Sequence, residues 1–558
     1  MMSALNMNTG IHLGGLLKCS GFDLALSDEL AGLKITDLQL DSRKLQAGNL
    51  FLAVPGLQTD GRDYLLEAES SGAVIALAER ENRMDFDHCE HMPVLTVDNL
   101  AHKISALAGC FYGKPSEKMS LLGITGTNGK TTCTQLLAQL FDALGTPSGV
   151  IGTLGYGLNN RGLCVENICA ESTYVESTYV ESLGDGAMDR GSESGVMDEA
   201  LIPTGLTTPD AVNVQYILAC LKEQGAEVVA MEVSSHSLDQ GRVAGLSFKT
   251  AVFTNLSQDH LDYHLTMAAY YQAKSQLFQA VGLEHAIINY DDDAGRRLLG
   301  DLSRRPEPTG LNANQPLQCY SYSCHSSEAD IYAENTIFSS KGMQGRIKTP
   351  WGSGEFHSHL QGEFNLSNLL AVIGVACVQG YNFEKVLRVL TQLQAVPGRL
   401  QLVDTAALPV VIVDYAHTSD ALEKVLTTLR SGCKGRLWCV FGCGGDRDSS
   451  KRAVMGRVAY DLADKIIITS DNPRSEDAQL IIDDVLKGIP ASAVKECQAN
   501  ARIDRRVAIR YAVKKAAKED VVLIAGKGHE CYQLIGSNRL PFNDVSEARL
   551  ALRERDDC

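Results

Sequence analysis

The 558-residue sequence has no apolar run that approaches the roughly 18–20 residues a membrane-spanning helix needs. It also lacks an excess of positive charge, since 51 Lys and Arg residues stand against 68 Asp and Glu residues for a formal net charge of −17. That balance argues against nucleic acid and against an anionic membrane as partners. No basic stretch precedes the first short apolar patch, Ile11–Leu17, so we expect no signal peptide and a cytoplasmic protein.

The 16 cysteines form no Cys-x-x-Cys pair and no Cys/His group at zinc spacing, which argues against a structural zinc site. Several of them lie inside apolar runs, where cysteine behaves as a small hydrophobic residue. The clearest examples are Cys133, Cys220, Cys377 and Cys439. We therefore expect reduced, mostly buried thiols rather than a disulfide framework.

Short Val- and Ile-rich runs followed by polar loops and helical patterns recur along the chain, which predicts parallel strands buried on both faces. A chain of this length exceeds one hydrophobic core, so we expect an α/β protein of three domains. A smaller N-terminal α/β domain would span residues 1–115, a central domain 116–395 and a doubly wound, Rossmann-like domain 396–558. The clearest strand candidates are Met119–Ile124, Glu227–Val233, Thr250–Thr254, Val410–Asp414, Leu437–Phe441, Ile466–Ser470 and Val521–Ala525.

An acidic stretch over residues 159–200 interrupts the central domain. It holds nine acidic residues against two arginines, which is −7 of the net charge, and it contains a tandem Glu-Ser-Thr-Tyr-Val repeat. Two repeats are too few for a solenoid. We interpret the stretch as a surface insertion and assign it no function.

The segment Gly126–Thr132 has the sequence Gly-Thr-Asn-Gly-Lys-Thr-Thr and lies between a predicted strand and a predicted helix. Glycines let backbone amides surround a phosphate, and the helix N-terminus adds partial positive charge. Lys130 can neutralise the terminal phosphates, while the Thr131 hydroxyl can reach Mg²⁺. Ile124 stands where a strict GxxxxGK[ST] motif has its first glycine, but the context still favours a phosphate-binding loop over a plain glycine-rich turn.

Other strand candidates of the central domain also end in polar groups, where open parallel sheets bind ligands. Glu232 and His236 could coordinate a hard cation, or they could merely cap the next helix. The segment Asn255–His264 is similarly polar after the next strand. Lys274 lies in a helical pattern that, taken alone, predicts an exposed lysine.

Four polar loops follow four strand candidates of the C-terminal domain. Each is a weak signal alone, but four loops at the same edge of one sheet predict a shared cleft. None has the GxGxxG spacing of a dinucleotide-binding fold. The loops are Asp414–His417, Gly442–Asp448, Asp471–Arg474 and Gly526–Glu530.

These motifs occur in a single order over nearly the whole chain, and together they resemble the Mur ligase family. The resemblance implies three domains, with a central P-loop-type ATPase, and a reaction in which ATP converts a carboxylate into an acyl phosphate that an amine attacks. The loop Asp471–Arg474 resembles the diaminopimelate-adding members, which implies the addition of meso-2,6-diaminopimelate to UDP-N-acetylmuramoyl-L-alanyl-D-glutamate in peptidoglycan synthesis. A lysine-adding or other Mur ligase, a folylpolyglutamate synthetase-like ligase and a P-loop NTPase switch remain as alternatives.

The resemblance also implies roles for individual residues, with Mg²⁺ as cofactor and a monomeric protein. The implied ATP contacts are Gly126, Thr127, Asn128, Gly129, Lys130, Thr131, Thr132, Asn365, Arg399 and Asp414. The implied catalytic residues are Lys130, Lys274 and His260, and the implied metal ligands are Thr131, Glu232 and Lys274 as a carbamate. The implied contacts to the UDP substrate are Leu40, Ser42, Leu57, Gln58, Thr59, Thr207, Thr208, Ser234, Gln240 and Arg242.

The diaminopimelate site is implied by the last three C-terminal loops. A guanidinium suits the distal carboxylate that distinguishes this amino acid from lysine, because it is planar and donates two parallel hydrogen bonds. Arg474 would take that role, with Glu530 facing the distal ammonium; a loop arginine paired to Glu476 or Asp477 is the alternative. The implied residues are Arg447, Asp471, Asn472, Pro473, Arg474, Gly526 and Glu530. One departure from the family is Leu206, where an asparagine is common before the Thr-Thr pair.

Overall fold

The computed structural model describes residues 10–56, 59–80, 89–159, 201–304, 316–339, 342–404, 408–495 and 498–556. Three sheets, each mainly parallel and flanked by helices, follow one another along the chain. The predicted α/β class is therefore confirmed. The implied contacts Leu57 and Gln58, and nearly all of the acidic insertion, lie outside the described residues.

The first sheet has four parallel strands in the order β3-β4-β5-β6, next to a small antiparallel ribbon of β1 and β2. The strands are β1 Ile11–His12, β2 Lys34–Ile35, β3 Asp37–Gln39, β4 Asn49–Ala53, β5 Ile75–Glu79 and β6 Val94–Val97. The helices are α1 Leu13–Cys19, α2 Asp28–Ala31, α3 Leu65–Ser70 and α4 Leu100–Phe111, with short 3₁₀ turns at Ser42–Lys44, Gly61–Tyr64 and Pro115–Glu117.

The central sheet has ten strands. The order is β16-β15-β14-β13-β12-β11-β7-β10-β8-β9. The seven strands from β14 to β8 in that order run parallel to one another, and antiparallel strands extend both edges. The strands are β7 Ser120–Thr125, β8 Ser148–Gly152, β9 Gly155–Leu158, β10 Val228–Glu232, β11 Thr250–Phe253, β12 His285–Asn289, β13 Gln318–Ser323, β14 Ile331–Ser339, β15 Gly342–Thr349 and β16 Gly352–Ser358. The helices are α5 Lys130–Ala143, α6 Ala211–Glu223, α7 Ser235–Asp239, α8 Leu261–His264, α9 Met267–Ser275, α10 Asp293–Ser303, α11 Glu363–Val378 and α12 Phe383–Val389.

The third sheet has the order β17-β18-β22-β19-β20-β21 and is parallel apart from β17. The strands are β17 Gln401–Leu402, β18 Val410–Asp414, β19 Leu437–Phe441, β20 Lys465–Ile468, β21 Ala499–Ala501, β22 Val521–Ala525 and the separate hairpin β23 Tyr532–Ile535 and β24 Asn538–Pro541. The helices are α13 Ser419–Gly432, α14 Lys451–Leu462, α15 Ala478–Leu486, α16 Ala491–Lys495, α17 Arg505–Lys515 and α18 Asp544–Asp556.

Strands of the two larger sheets are buried on both faces. In β7, Leu122 packs into one hydrophobic cluster and Leu121 into the other, and in β18 Ile412 and Val413 divide in the same way. Each of the seven strand candidates is found as a strand within two residues of its predicted bounds. None of the described helices combines the length and apolar character of a membrane span.

Two cysteines correct the expectation of reduced thiols. Cys19 at the end of α1 forms a disulfide with Cys110 near the end of α4, and their Cα atoms lie 6.1 Å apart. The two residues are 91 positions apart in sequence, so no local spacing indicates the pair. The four cysteines in apolar runs are free and buried as predicted: Cys133, Cys220, Cys377 and Cys439.

Candidate active site

The phosphate-loop candidate connects β7 to α5, as the sequence predicts. Gly126 and Gly129 have φ angles of +146° and +88°, which side chains with a Cβ rarely adopt. A Cβ at Gly126 would also collide with the Thr254 hydroxyl, and one at Gly129 would lie 2.6 Å from Asn368 Oδ1. The loop therefore needs glycine at both positions, and α5 begins directly after it at Lys130.

Residues after β11 hold this loop in place. The Asn128 amide donates to Asn255 Oδ1 at 2.9 Å, and the Thr254 hydroxyl donates to the Asn128 carbonyl at 2.6 Å. The Thr127 hydroxyl lies 3.1 Å from the Tyr270 hydroxyl. The polarity of Asn255–His264 indicated a site here, but the sequence could not show that Asn255 shapes the loop.

Two lysines converge on the loop. Lys130 Nζ donates to the Gly126 and Thr127 carbonyls at 2.7 and 2.9 Å, and Lys274 Nζ donates to the same Gly126 carbonyl at 2.8 Å. Burial lowers the pKa of both ammonium groups, and the charge of Lys130 lowers the pKa of Lys274 further. The helix pattern alone predicted an exposed Lys274; that is wrong, because the buried face of α9 packs against the phosphate loop.

Two oxygen-bearing side chains that could bind a cation, Thr131 and Glu232, lie close to the start of α5. The Thr131 hydroxyl donates to Glu232 Oε2 at 2.9 Å, and the Thr153 amide donates to Glu232 Oε1 at 2.8 Å. Arg399 Nη2 also donates to the Thr131 hydroxyl, at 3.2 Å. A carboxylate and a hydroxyl are ligands that hard divalent cations prefer, so Thr131 and Glu232 suit Mg²⁺.

Within the described ranges, no three His, Cys, Asp or Glu side chains converge closely enough to hold a metal ion by themselves. A cation beside Glu232 would therefore need further oxygens, such as that of the Thr131 hydroxyl. The alternative that Glu232 and His236 merely cap α7 is not supported, because Ser234 is the capping residue: its hydroxyl accepts from the Ser237 amide at 3.1 Å.

His260 precedes α8 in a left-handed backbone conformation, with φ +55°. Its ring lies 4.9 Å from the His236 ring and 6.0 Å from the Tyr270 ring, measured between centroids. Burial lowers the pKa of His260 to about 3, against the opposing effect of Asp259, and burial lowers the pKa of His236 to about 4. Both imidazoles are therefore neutral near pH 7.

A cavity of about 570 Å³ opens beside the loop, between the central and C-terminal parts of the chain. Asn128, Gly129 and Thr132 line it from one side, and Arg399 and Asp414 line it from the other. Its size and its position next to the loop suit a nucleotide. The implied ATP contact Asn365 is buried and reaches the cavity wall through Asn368, whose Nδ2 donates to Asn365 Oδ1 at 3.4 Å.

The implied contacts to the peptide end of the UDP substrate cluster beside Glu232. The Thr208 hydroxyl donates to the Glu232 carbonyl at 2.8 Å and accepts from the Ser234 amide at 3.1 Å. Arg242 Nη1 donates to the Thr208 carbonyl at 2.9 Å and Arg242 Nε to Gln240 Oε1 at 2.9 Å. Thr207 receives a hydrogen bond from the Thr153 hydroxyl at 3.2 Å, and Leu206 is 51% exposed.

The implied contacts to the uridine end lie in the first sheet region, away from the phosphate loop. Leu40 lines a cavity of about 810 Å³. Tyr112 and Asp210, the residue directly before α6, line the same cavity. Ser42 is buried and Thr59 is exposed.

The four polar C-terminal loops meet at one edge of the third sheet, as the sequence predicts, and the Tyr415 ring of the first loop lies 5.2 Å from the His529 ring of the last. Asn472 Nδ2 donates to Glu530 Oε2 at 2.9 Å, and Arg474 Nη1 donates to the Gly445 carbonyl at 2.7 Å. Lys527, which the sequence analysis did not single out, is fully buried with its Nζ 2.7 Å from Glu530 Oε2. The remaining implied residues lie in the same loops, with Asp471 and Pro473 buried, Arg447 exposed and the Gly526 amide donating to the Asp414 carbonyl at 3.1 Å.

Both alternative partners of Arg474 make other contacts. Glu476 pairs with Arg452, whose Nη2 lies 2.8 Å from Glu476 Oε1. Asp477 caps α15 by accepting from the Gln479 amide at 2.7 Å. In the described part of the chain, no carboxylate lies within 4.0 Å of the half-buried Arg474 guanidinium.

Three family models match this chain. They are "Mur ligase family, catalytic domain" over residues 34–112, "Mur ligase middle domain" over 124–376 and "Mur ligase, glutamate ligase domain" over 398–528. Curated relatives match along almost the full length as well. A UDP-N-acetylmuramoyl-L-alanyl-D-glutamate–2,6-diaminopimelate ligase from Coxiella burnetii is 44% identical over 94% of this chain and 96% of its own. The chain belongs to the Mur ligase family. It is thus an ATP-dependent ligase that acts on small molecules.

Other comparisons agree with this assignment. The ligase of the same name from Pseudomonas aeruginosa is also 44% identical, over 93% of this chain and 95% of its own. Among solved structures, a UDP-N-acetylmuramoyl-L-alanyl-D-glutamate–2,6-diaminopimelate ligase is 30% identical with a TM-score of 0.63, covering 98% of this chain and 99% of that one. A D-alanyl-D-alanyl-adding ligase from Acinetobacter baumannii, 15% identical with a TM-score of 0.58 over the full length of both chains, shares the fold.

Proposed function

We propose that this Mur ligase adds meso-2,6-diaminopimelate to UDP-N-acetylmuramoyl-L-alanyl-D-glutamate at the expense of ATP, in peptidoglycan precursor synthesis. The observation that carries the proposal is Arg474, a half-buried guanidinium without a carboxylate partner among the described residues, in a cleft that also holds Glu530. The relatives that are 44% identical bear the name of this activity.

The reaction proceeds in two steps in this proposal. A carboxylate oxygen of the D-glutamyl side chain attacks the γ-phosphorus of ATP, which forms the acyl phosphate and releases ADP. The amine of diaminopimelate then attacks the acyl carbon, the C–O bond to phosphate breaks, and inorganic phosphate leaves as the amide forms and the amine loses a proton. Positioning and charge stabilisation are the main tasks of the protein in both steps.

Individual residues have distinct tasks in these steps. Lys130 would leave its contacts to the Gly126 and Thr127 carbonyls and bind the terminal phosphates, while the loop amides hold the β-phosphate. Arg399 reaches the same place from the C-terminal side, since its guanidinium already touches Thr131. The neutral imidazole of His260 adds no positive charge of its own and can accept a hydrogen bond or bind a metal.

Mg²⁺ would be held by the Thr131 hydroxyl, the Glu232 carboxylate and the carbamate of Lys274. When bound, it neutralises charge on the phosphate oxygens. An ammonium at Lys274 would repel such a cation, whereas a carbamate presents two oxygens as a carboxylate does. The lowered pKa of Lys274 supports carbamate formation, because only the neutral amine reacts with carbon dioxide.

The amino acid would bind in the C-terminal cleft. Arg474 pairs with the distal carboxylate, and Glu530, already held by Lys527 and Asn472, faces the distal ammonium. Asp471 and Pro473 shape the loop, while Arg447 and Gly526 contact the remaining polar groups. We further propose that the protein works in the cytoplasm as a monomer and binds no nucleic acid.

A substrate screen tests the proposal. Purified protein receives ATP, Mg²⁺, the UDP-muramoyl dipeptide and one of three amines: meso-diaminopimelate, L-lysine or L-ornithine. We expect multiple-turnover ADP release only when both the dipeptide and an amine are present, and fastest release with diaminopimelate. A preference for L-lysine would refute the amino-acid assignment. ADP release without the dipeptide would instead indicate a nucleotide switch.

A further inference from the structure

A buried ion pair joins the central and C-terminal parts of the chain. Asp259 lies between β11 and α8, and Lys451 is the first residue of α14. Lys451 Nζ is 3.1 Å from Asp259 Oδ1, and the two side chains are only 8% and 7% exposed. Removing two charges from water is costly, so such a pair is maintained only by good geometry and further contacts.

Further contacts surround this pair. The other oxygen of Asp259 lies 3.5 Å from His260 Nε2 and 3.7 Å from His417 Nε2. The residues directly before Asp259 and Lys451 also contact each other, since Gln258 Nε2 donates to Ser450 Oγ at 2.9 Å. Asp259 therefore contacts side chains from three separate segments. The Gln258–Ser450 hydrogen bond beside it also joins the central part of the chain to the C-terminal part.

The ion pair lies between the phosphate loop, where the acyl phosphate would form, and the cleft proposed to hold the amino acid. Asp259 is adjacent to His260 and lies in the segment that holds the phosphate loop. Lys451 comes three residues after the end of the loop Gly442–Asp448, which carries Arg447 and the carbonyl that Arg474 contacts. The distance across the ion pair therefore sets how closely the amino-acid cleft approaches the phosphate loop.

We propose that Asp259 and Lys451 are positioning residues that hold the amino-acid cleft against the phosphate loop, so that the amine can reach the acyl phosphate. This inference rests on the proposed function. Neither residue needs to touch a substrate. Removal of one partner leaves the other charge buried without its oppositely charged lysine or aspartate, which favours separation of the two parts and entry of water.

Three charge-removing variants, the conservative variant Lys451→Arg and one matched control test the proposal. Lys451→Met keeps an unbranched side chain of similar length without its charge, Asp259→Asn removes the opposite charge, and the double variant removes both. The control, Arg457→Met, lies on the same helix α14, where Arg457 is exposed and pairs with Asp461 at 2.8 Å within the helix. Thermal unfolding of each variant identifies any that fail to fold.

Two measurements are made on the full chain. Small-angle X-ray scattering with a non-hydrolysable ATP analogue reports the radius of gyration, and steady-state kinetics report kcat and each KM. We expect both single variants to be more extended than the wild type and to lose kcat by about 30-fold or more, with the KM for ATP within a few-fold. Lys451→Arg should restore most of kcat, and Arg457→Met should match the wild type in both measurements.

The double variant separates positioning from simple loss of contacts. Because it leaves no buried charge unpaired, we expect its kcat loss to be smaller than the product of the two single losses. Unchanged scattering and kcat in both single variants, or fully multiplicative losses, would overturn the proposal. Scattering requires no turnover, so extended single variants alongside a wild type without ligase activity would refute the proposed function, and with it the role in amine delivery. That result would still support the part of the inference in which the ion pair holds the two parts of the chain together.

Discussion

Arg474→Ala removes the one cleft guanidinium that we assign to the distal carboxylate of diaminopimelate. The backbone of the loop should survive, because the Arg474 amide donates to the Leu534 carbonyl at 3.1 Å and the Arg474 carbonyl accepts from the Gly536 amide at 2.7 Å. The lost side-chain bond from the charged guanidinium to the Gly445 carbonyl contributes about 1.5–3 kcal/mol to stability, a fraction of what a chain of this size has. The variant is therefore expected to fold, and its defect should appear in substrate binding.

The size of the expected rise in KM follows from the distal carboxylate of diaminopimelate, which loses its guanidinium partner. Removing one member of a desolvated, hydrogen-bonded charge pair costs roughly 2–5 kcal/mol, and each 1.4 kcal/mol is a factor of ten. Arg474 is half-buried rather than fully buried, so we expect the lower part of that range. The KM for diaminopimelate should rise by about 30- to 300-fold, and Arg474→Lys should recover little, because an ammonium cannot form the paired hydrogen bonds.

Initial rates of ADP release at varied diaminopimelate provide the measurement. The KM values for ATP and for the UDP substrate should stay within a few-fold of the wild type. The control is Arg346→Ala, since Arg346 is an exposed arginine on β15 that pairs with Glu355 at 3.3 Å. If Arg474→Ala leaves the KM for diaminopimelate unchanged, the assignment of Arg474 is wrong.

Three further predictions concern other parts of the chain. Lys274→Ala should be nearly inactive and partly rescued by short carboxylic acids in the activity assay; an unmodified lysine in a high-resolution structure of active enzyme would contradict the carbamate. Deletion of Glu171–Ser182 should change stability by no more than about 0.5 kcal/mol in chemical unfolding, and a loss above about 2 kcal/mol would show that the repeat packs on the core. Burial lowers the pKa of His529 to about 3, so its protonation favours the unfolded chain and stability falls as pH drops from about 6.5 towards 3. The Tm of His529→Gln should therefore fall less than that of the wild type between about pH 7 and pH 5, and equal losses would refute this.

Seven strands of the two larger sheets could be predicted from the sequence because they are nearly continuous apolar runs. The runs at Val410–Asp414, Leu437–Phe441 and Val521–Ala525 match β18, β19 and β22 residue for residue. Such runs are buried on both faces, and their short length and their Val and Ile content distinguish them from buried helices.

Long-range pairings escaped the sequence analysis for a physical reason. The Asp259–Lys451 pair spans 192 residues and the disulfide of Cys19 spans 91, so neither leaves a local pattern. The burial of Lys274 was hidden as well, since a helical period shows which residues share a face but not which face packs against the phosphate loop. The candidate site was predictable as a set of loops, and its hydrogen bonds were not.

An oxygen-transfer measurement tests the acyl phosphate most directly. The γ-carboxylate of the D-glutamyl residue is labelled with ¹⁸O, and the inorganic phosphate released with diaminopimelate as the amine is analysed by mass spectrometry. One labelled oxygen should appear in each phosphate, because the oxygen that attacks ATP leaves with the phosphate when the amide forms. Phosphate that takes its new oxygen from water instead would contradict the account.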